Sequence, residues 1–191
     1  MTTSFKDEFK TVYLILESDS KTKGIDSFSL ALIKSERQIR KLFTHLRYQY
    51  PEVKKASYSD IRGILNSKWK VYFEGFINGF DQIYPVKIGE LIGEEYSQLL
   101  EKLSTYTKVR NKVFHGQITN DWLSTKDLEG MTQNIMLWCQ LLSKGAKKEL
   151  DYDGFERNSL RASKKDLLSK FLVQINSLDE YSGFIDKEMS R

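Results

Sequence analysis

The sequence predicts an all-α chain, and three observations carry that prediction. Only two prolines occur in 191 residues, whereas Leu, Lys, Glu and Ser abound, a composition that favours helices over strands. Apolar residues recur along most of the chain at the three- and four-residue intervals of a helix that buries one side. Helix-start and helix-stop signals punctuate those runs where the periodicity changes, and no repeat or low-complexity tract interrupts them.

The first helix follows Ser4, an N-cap candidate with Asp7 three residues on, and carries Phe5, Phe9, Val12, Tyr13 and Leu16 on one face. Thr11 to Leu16 is rich enough in Val, Tyr and Ile to suit a strand as well, but the spacing favours the helix. After the polar loop Ser18 to Gly24, a long helix is expected over Asp26 to Tyr50. Its Phe28, Leu32, Ile39, Leu42, Phe43 and Leu46 point inward, and Lys34, Arg37, Arg40, Lys41 and Arg47 point outward. Pro51 ends it, because the residue before a proline avoids helical geometry.

Ser59 and Asp60 open a third helix, on which Ile61, Leu65, Trp69, Tyr72, Phe73, Phe76 and Phe80 form one broad aromatic stripe. That many rings imply a thick core or a dimer face, core being the commoner outcome. Gly75 and Gly79, four apart, could let another helix approach closely. Pro85 marks a turn. A helix from Ile88 to His115 follows, broken near Gly93.

Ser124 to Asp127 reads as a capping box leading into Leu128, Met131, Ile135, Trp138 and Leu142. This helix should pack antiparallel on the preceding one through a short loop and end between Gly145 and Lys148. Asp151 to Ala162 is polar loop with a turn at Asp153-Gly154. A last helix is expected from the Ser163–Asp166 box, burying Leu167, Leu168, Phe171, Leu172 and Ile175, with a frayed tail from Asp179. The organisation is one domain over 1–191, with 151–191 as a C-terminal helical extension. At this length the chain can bury roughly 70% of its unfolded surface.

The chemically richest stretch is Tyr106 to Asp121, where Arg110, Asn111, His115 and Gly116 share the end of an apolar helical run. Gly116 suits the left-handed residue past a helix end, which puts His115 in the last turn. There the carbonyl end of the helix dipole favours imidazolium, so the ring titrates near neutrality and can donate or accept a proton. Arg110 lies five residues earlier, about 140° away around a straight helix. Either the helix frays, or the Arg side chain bends round, or a second copy supplies the missing half. A two-fold axis that pairs two such motifs across one cleft is the economical solution and implies a homodimer.

Arg-Asn-x-x-x-His-Gly closing a long helix in an all-helical chain of this size resembles the signature of the HEPN superfamily: an Arg, a polar residue, and a His four to six positions after the Arg. The matching positions are Arg110, Asn111 and His115, and the surrounding helical pattern is compatible over about Ile25 to Gly145. The resemblance implies a small up-and-down helical bundle that dimerises. It also implies metal-independent endoribonuclease activity of the kind found in toxins and anti-phage systems, with a neutralising antitoxin as a conceivable partner.

RNA carries its own nucleophile, the 2′-hydroxyl, so cleavage needs only a base, an acid and a cation for the charge that develops on phosphorus. His115 would move protons, Arg110 would hold phosphate oxygens with its planar fork, and Asn111 would orient the phosphate. Arg37, Arg40 and Lys41 on the basic face of the long helix, with Lys108 and Lys112 beside the motif, are candidates to track the RNA backbone. A charged stripe of this sort also serves as solvated surface. Arg110 could instead salt-bridge an acidic neighbour while Asn111 and His115-Gly116 end a helix, and a non-catalytic module binding RNA, a nucleotide or a partner protein fits the same residues. His45, with no relay partner nearby in sequence, reads as structural or surface. Arg157-Asn158 repeats the dipeptide, but no His follows.

Other chemistries lack their signatures. Two distant histidines and one cysteine leave no zinc or two-metal ligand set, and there is no phosphate-binding Gly-rich loop, dinucleotide fingerprint or nucleophile elbow. No metal and no cofactor are expected. The net charge of +4, from 30 basic and 26 acidic residues, permits a nucleic-acid partner without demanding one. Cys139 falls on an apolar face and reads as core. A lone thiol, no secretory signal and no apolar run of ~20 residues point to a cytoplasmic protein without a membrane span.

Overall fold

The computed structural model describes residues 3–56, 58–67, 71–114, 123–156 and 158–190. Among them the regular elements are helical, so the chain is all-α. In order these are α1 (Thr3–Glu17), α2 (Lys23–Arg47), α3 (Pro51–Lys55), α4 (Tyr58–Ser67), α5 (Phe73–Ile83), α6 (Ile88–Ile92), α7 (Tyr96–Phe114), α8 (Thr125–Leu150), a 3₁₀ turn at Leu168–Lys170, and α9 (Leu178–Glu188). No helix among the described residues is long and apolar enough to cross a membrane.

α2 and α8 form the centre and run parallel. Gly24 meets Thr125 at one end, Ser27 Oγ lies 3.4 Å from Thr132 Oγ1, and Gln38 Nε2 donates to the Cys139 carbonyl at 3.1 Å. α1 runs back along α2, with Lys23 reaching the Leu16 carbonyl and Lys34 paired to Glu8 at 2.8 Å. It runs through Thr11–Leu16, so that segment is helix, and its Phe5, Phe9 and Val12 are buried. α7 is antiparallel to α8, as the spacing predicts: Tyr96 packs on Trp138, whereas Lys102 and Tyr106 reach Asn134.

The Ser124 cap forms as expected. Its hydroxyl accepts from Asp127 N, and the Asp127 carboxylate accepts from the Ser124 hydroxyl and the Ser124 N–H, the two bonds that hold that carboxyl below its ordinary range. Gly93 breaks the α6–α7 run with a φ of 89°. Cys139 is buried, and burial pushes its thiol up.

Several expectations are corrected. Ser4 lies inside α1 rather than capping it, and its hydroxyl donates to the buried Asp153 carboxylate. α2 ends at Arg47, three residues early, in a turn closed by Tyr50 N to the Arg47 carbonyl at 3.2 Å. Arg47 itself points inward. It is 2% exposed, stacks its guanidinium 5.1 Å from the Tyr181 ring and donates to the Tyr181 hydroxyl at 2.8 Å. The aromatic stripe after Ser59 is divided between two helices, α4 and α5, with Trp69 outside the described residues. Between them Val71 pairs its backbone with Ser190 and Tyr72 is extended. The apolar period runs through that break without a proline or glycine to mark it.

α8 does not stop at Gly145. It continues to Leu150 and closes on Asp151 in the left-handed region (φ 55°). Gly145 is instead where α6 crosses, since a Cβ there would overlap the Leu91 carbonyl. The expected helix after Ser163 is reduced to the 3₁₀ turn; Leu167, Phe171 and Ile175 are buried as anticipated, whereas Leu168 is half-buried and Leu172 is exposed. There the chain spends its hydrogen bonds on neighbours: Leu172 N donates to the Ile83 carbonyl at 2.9 Å, and the Val173 carbonyl accepts from the Tyr50 hydroxyl at 2.7 Å. The expected frayed tail is α9, capped by Ser177, with Tyr181, Phe184 and Ile185 buried. Met189 after it fills the notch left by Gly75 and Gly79.

The described residues between 151 and 190 thus lie on α2 and α5 as part of the same core. Phe155 packs edge-on against Phe5 and Phe9. His45 is fully buried, with Nδ1 3.3 Å from the Ser159 carbonyl and its ring against Tyr152, which makes it structural.

Candidate functional site

α7 is positioned by the face it buries. Leu99, Leu103 and Tyr106 are turned inward; the Tyr106 ring lies edge-on to Phe28, and its hydroxyl accepts from Asn134 Nδ2 at 2.9 Å. Residues four apart on a helix share a side, so Arg110 is directed where Tyr106 points, towards α2. There it meets Glu36: Nη1 is 3.1 Å from one carboxylate oxygen and 3.3 Å from the other. Its Nε donates to the neighbouring Asn111 Oδ1 at 3.2 Å, which spreads the guanidinium between two acceptors. The pair is neither buried nor free in water, with side chains 22% and 31% exposed.

This pair sits in a cleft of about 550 Å³ between α2, α5 and α7. The α7 wall supplies Ser104, Thr107, Lys108, Arg110 and Asn111. The α2 wall supplies Glu36 and Arg40, whose guanidinium lies 5.0 Å from the Phe76 ring centre. The third wall is the start of α5 and the two residues before it, Val71 to Glu74, with Phe76 behind. Three cations therefore face two carboxylates and an aromatic surface.

The sequence candidates divide on this geometry. Arg110, Asn111, Lys108 and Arg40 line one cleft although they come from two helices. Arg37 does not join them; it is exposed and turned to Glu8 on the α1 side at 3.5 Å. Lys41 is half-buried near Glu8 and Asp153, and burial followed by the neighbouring Arg37 charge lowers its pKa. Lys112 is half-buried on α7 and does not line the cleft. His115 and Gly116, with the polar turn after them, lie outside the described residues.

Sequence reasoning missed Glu36, Tyr72 and Glu74 as cleft residues. Glu36 had a readable signal, a carboxylate one turn before Arg40 in an otherwise basic face. Tyr72 had none, because its position in the aromatic stripe is indistinguishable from that of a core ring.

No family model, curated protein or solved structure matches this chain.

Proposed function

We propose that this chain is a metal-independent endoribonuclease of the HEPN type, an up-and-down helical bundle that acts as a cytoplasmic homodimer. The observation that supports the reading most is the convergence of Arg110, Asn111, Lys108 and Arg40 on one open cleft. Cations from separate helices on one concave surface suit a phosphate backbone, whose affinity is carried by such groups. In this reading Arg110 exchanges the Glu36 carboxylate for a phosphate oxygen and bears the charge that grows on phosphorus. Asn111 orients the same phosphate. His115 takes the 2′-hydroxyl proton or donates to the departing 5′-oxygen, and the second copy's motif serves the complementary step. The bond formed is 2′-oxygen to phosphorus, the bond broken is phosphorus to 5′-oxygen, and the products are a 2′,3′-cyclic phosphate and a 5′-hydroxyl. DNA, lacking the nucleophile, is inert. A growth-arresting or anti-phage role, with a neutralising antitoxin, is the biological setting the motif suggests.

The purified protein is expected to cut single-stranded RNA in EDTA and leave those ends, and His115→Ala to abolish cutting with an unchanged melting temperature. Toxicity on expression should be relieved by the same substitution. A His115→Ala protein that cuts as wild type would overturn the assignment.

The Glu36 pair favours a second reading, in which Arg110 clamps α7 to α2 and the cleft binds RNA without cutting it. That version yields RNA affinity with no cleavage, and Arg110→Ala then changes binding and stability alone.

A further inference from the structure

We infer that the cleft takes single-stranded RNA and that Tyr72 is its base-stacking platform. The inference rests on the reading of this cleft as an RNA site and adds what the motif does not contain, a means of choosing unpaired over paired strands. Tyr72 lines the cleft yet is 50% exposed, so its ring stands at the rim. Tyr72 is the extended residue immediately before α5, φ −103° and ψ −174°, and the next residue, Phe73, turns inward against Trp138 at 5.8 Å. Phe73 is half-buried against the core, while Tyr72 before it is left at the rim.

An exposed ring beside cations is the arrangement that holds single strands, in which the groove tracks phosphates and aromatic side chains accept base faces. Here Lys108, Arg110 and Arg40 supply the charge, and Tyr72 supplies the face. The Arg40 guanidinium is already laid on Phe76, so the cationic and aromatic walls are in contact. At about 550 Å³ the cleft is in the range of small-ligand sites, ~300–1,000 Å³. A base within a duplex has both faces covered by its neighbours and offers none to Tyr72.

The test uses full-length protein and a fluorescent RNA pentamer methylated at every 2′-oxygen, which the proposed reaction cannot cut, with an abasic residue placed at each position in turn. Wild type should bind the intact pentamer roughly tenfold more tightly than one of the abasic versions and should reject the annealed duplex. Tyr72→Phe should retain that preference. Tyr72→Leu, which keeps apolar bulk without an aromatic face, should bind intact and abasic strands alike. The inference is overturned if no abasic position weakens binding, if the penalty persists undiminished in Tyr72→Leu, or if duplex or no RNA at all is bound. Cleavage of unmethylated RNA separates it from the nuclease reading. Base-dependent binding without cutting sustains the stacking role and removes the nuclease, whereas cutting at a rate indifferent to Tyr72→Leu does the reverse.

Discussion

Glu36 is the acidic side chain against which Arg110 is held, and in the proposed reading a phosphate displaces its carboxylate. A partly exposed ion pair contributes ~1 kcal/mol or less, so Glu36→Gln should barely move the melting temperature. It should tighten RNA binding on the order of fivefold by removing a repelling charge; unchanged or weaker binding would place the RNA elsewhere. A second residue pair carries a pH signature. Glu149 accepts from the Tyr84 hydroxyl at 2.7 Å, and that bond is the largest cause holding its carboxyl below the ordinary range, with Lys170 assisting. A carboxyl depressed on folding contributes stability above its unfolded pKa, ~4.3, and the contribution is lost as pH falls through the lower folded value. Tyr84→Phe should therefore be destabilised at pH 7, with the deficit narrowing below about pH 4 in parallel urea titrations. At this scale the motif that ends in His115-Gly116 was enough to single out Arg110 and Asn111, and both line the cleft. Arg47 could not be singled out, because its partner Tyr181 is 134 residues away and only the folded chain brings a ring over that guanidinium.

The existence of α1, α2 and α8 was legible from one amphipathic period each, and the Ser124–Asp127 box marked the start of α8. Helices were not legible where long-range contacts decided. The Ser163–Asp166 segment has the local credentials of a helix start, yet Ser163 N donates to the Gln49 side chain, and further on Leu172 N and the Val173 carbonyl bond to Ile83 and Tyr50. Gly145 misled for the same reason. It looked like a stop and is a crossing point. Two glycines on α8 make that distinction measurable. Gly145→Ala would drive a methyl into the Leu91 carbonyl, whereas nothing lies within 4 Å of a Cβ at Gly130. Overpacking of this kind costs ~1–3 kcal/mol, and an unhindered Gly→Ala in a helix gains ~0.5–1 kcal/mol. Denaturant melts should shift in opposite directions for the two variants; equal shifts would mean that α6 does not cross there.

For the whole molecule, the all-α class followed from composition and periodicity, while the joining of Arg40 to Lys108 and Arg110 followed only from how α2, α5 and α7 meet. The dimer proposal is a claim about a further level of assembly, resting on the 140° offset between Arg110 and His115. Sedimentation should give twice the 22.4 kDa chain mass, and a monomer that still cuts RNA would remove the need for a second copy. The proposed site itself is tested most directly by the initial rate of single-stranded RNA cleavage in EDTA for wild type and Arg110→Ala, each shown by thermal melting to be folded. The account predicts a loss of about 10²-fold or more in the variant, with less than ~1 kcal/mol lost in stability. Equal rates in two folded proteins would contradict it.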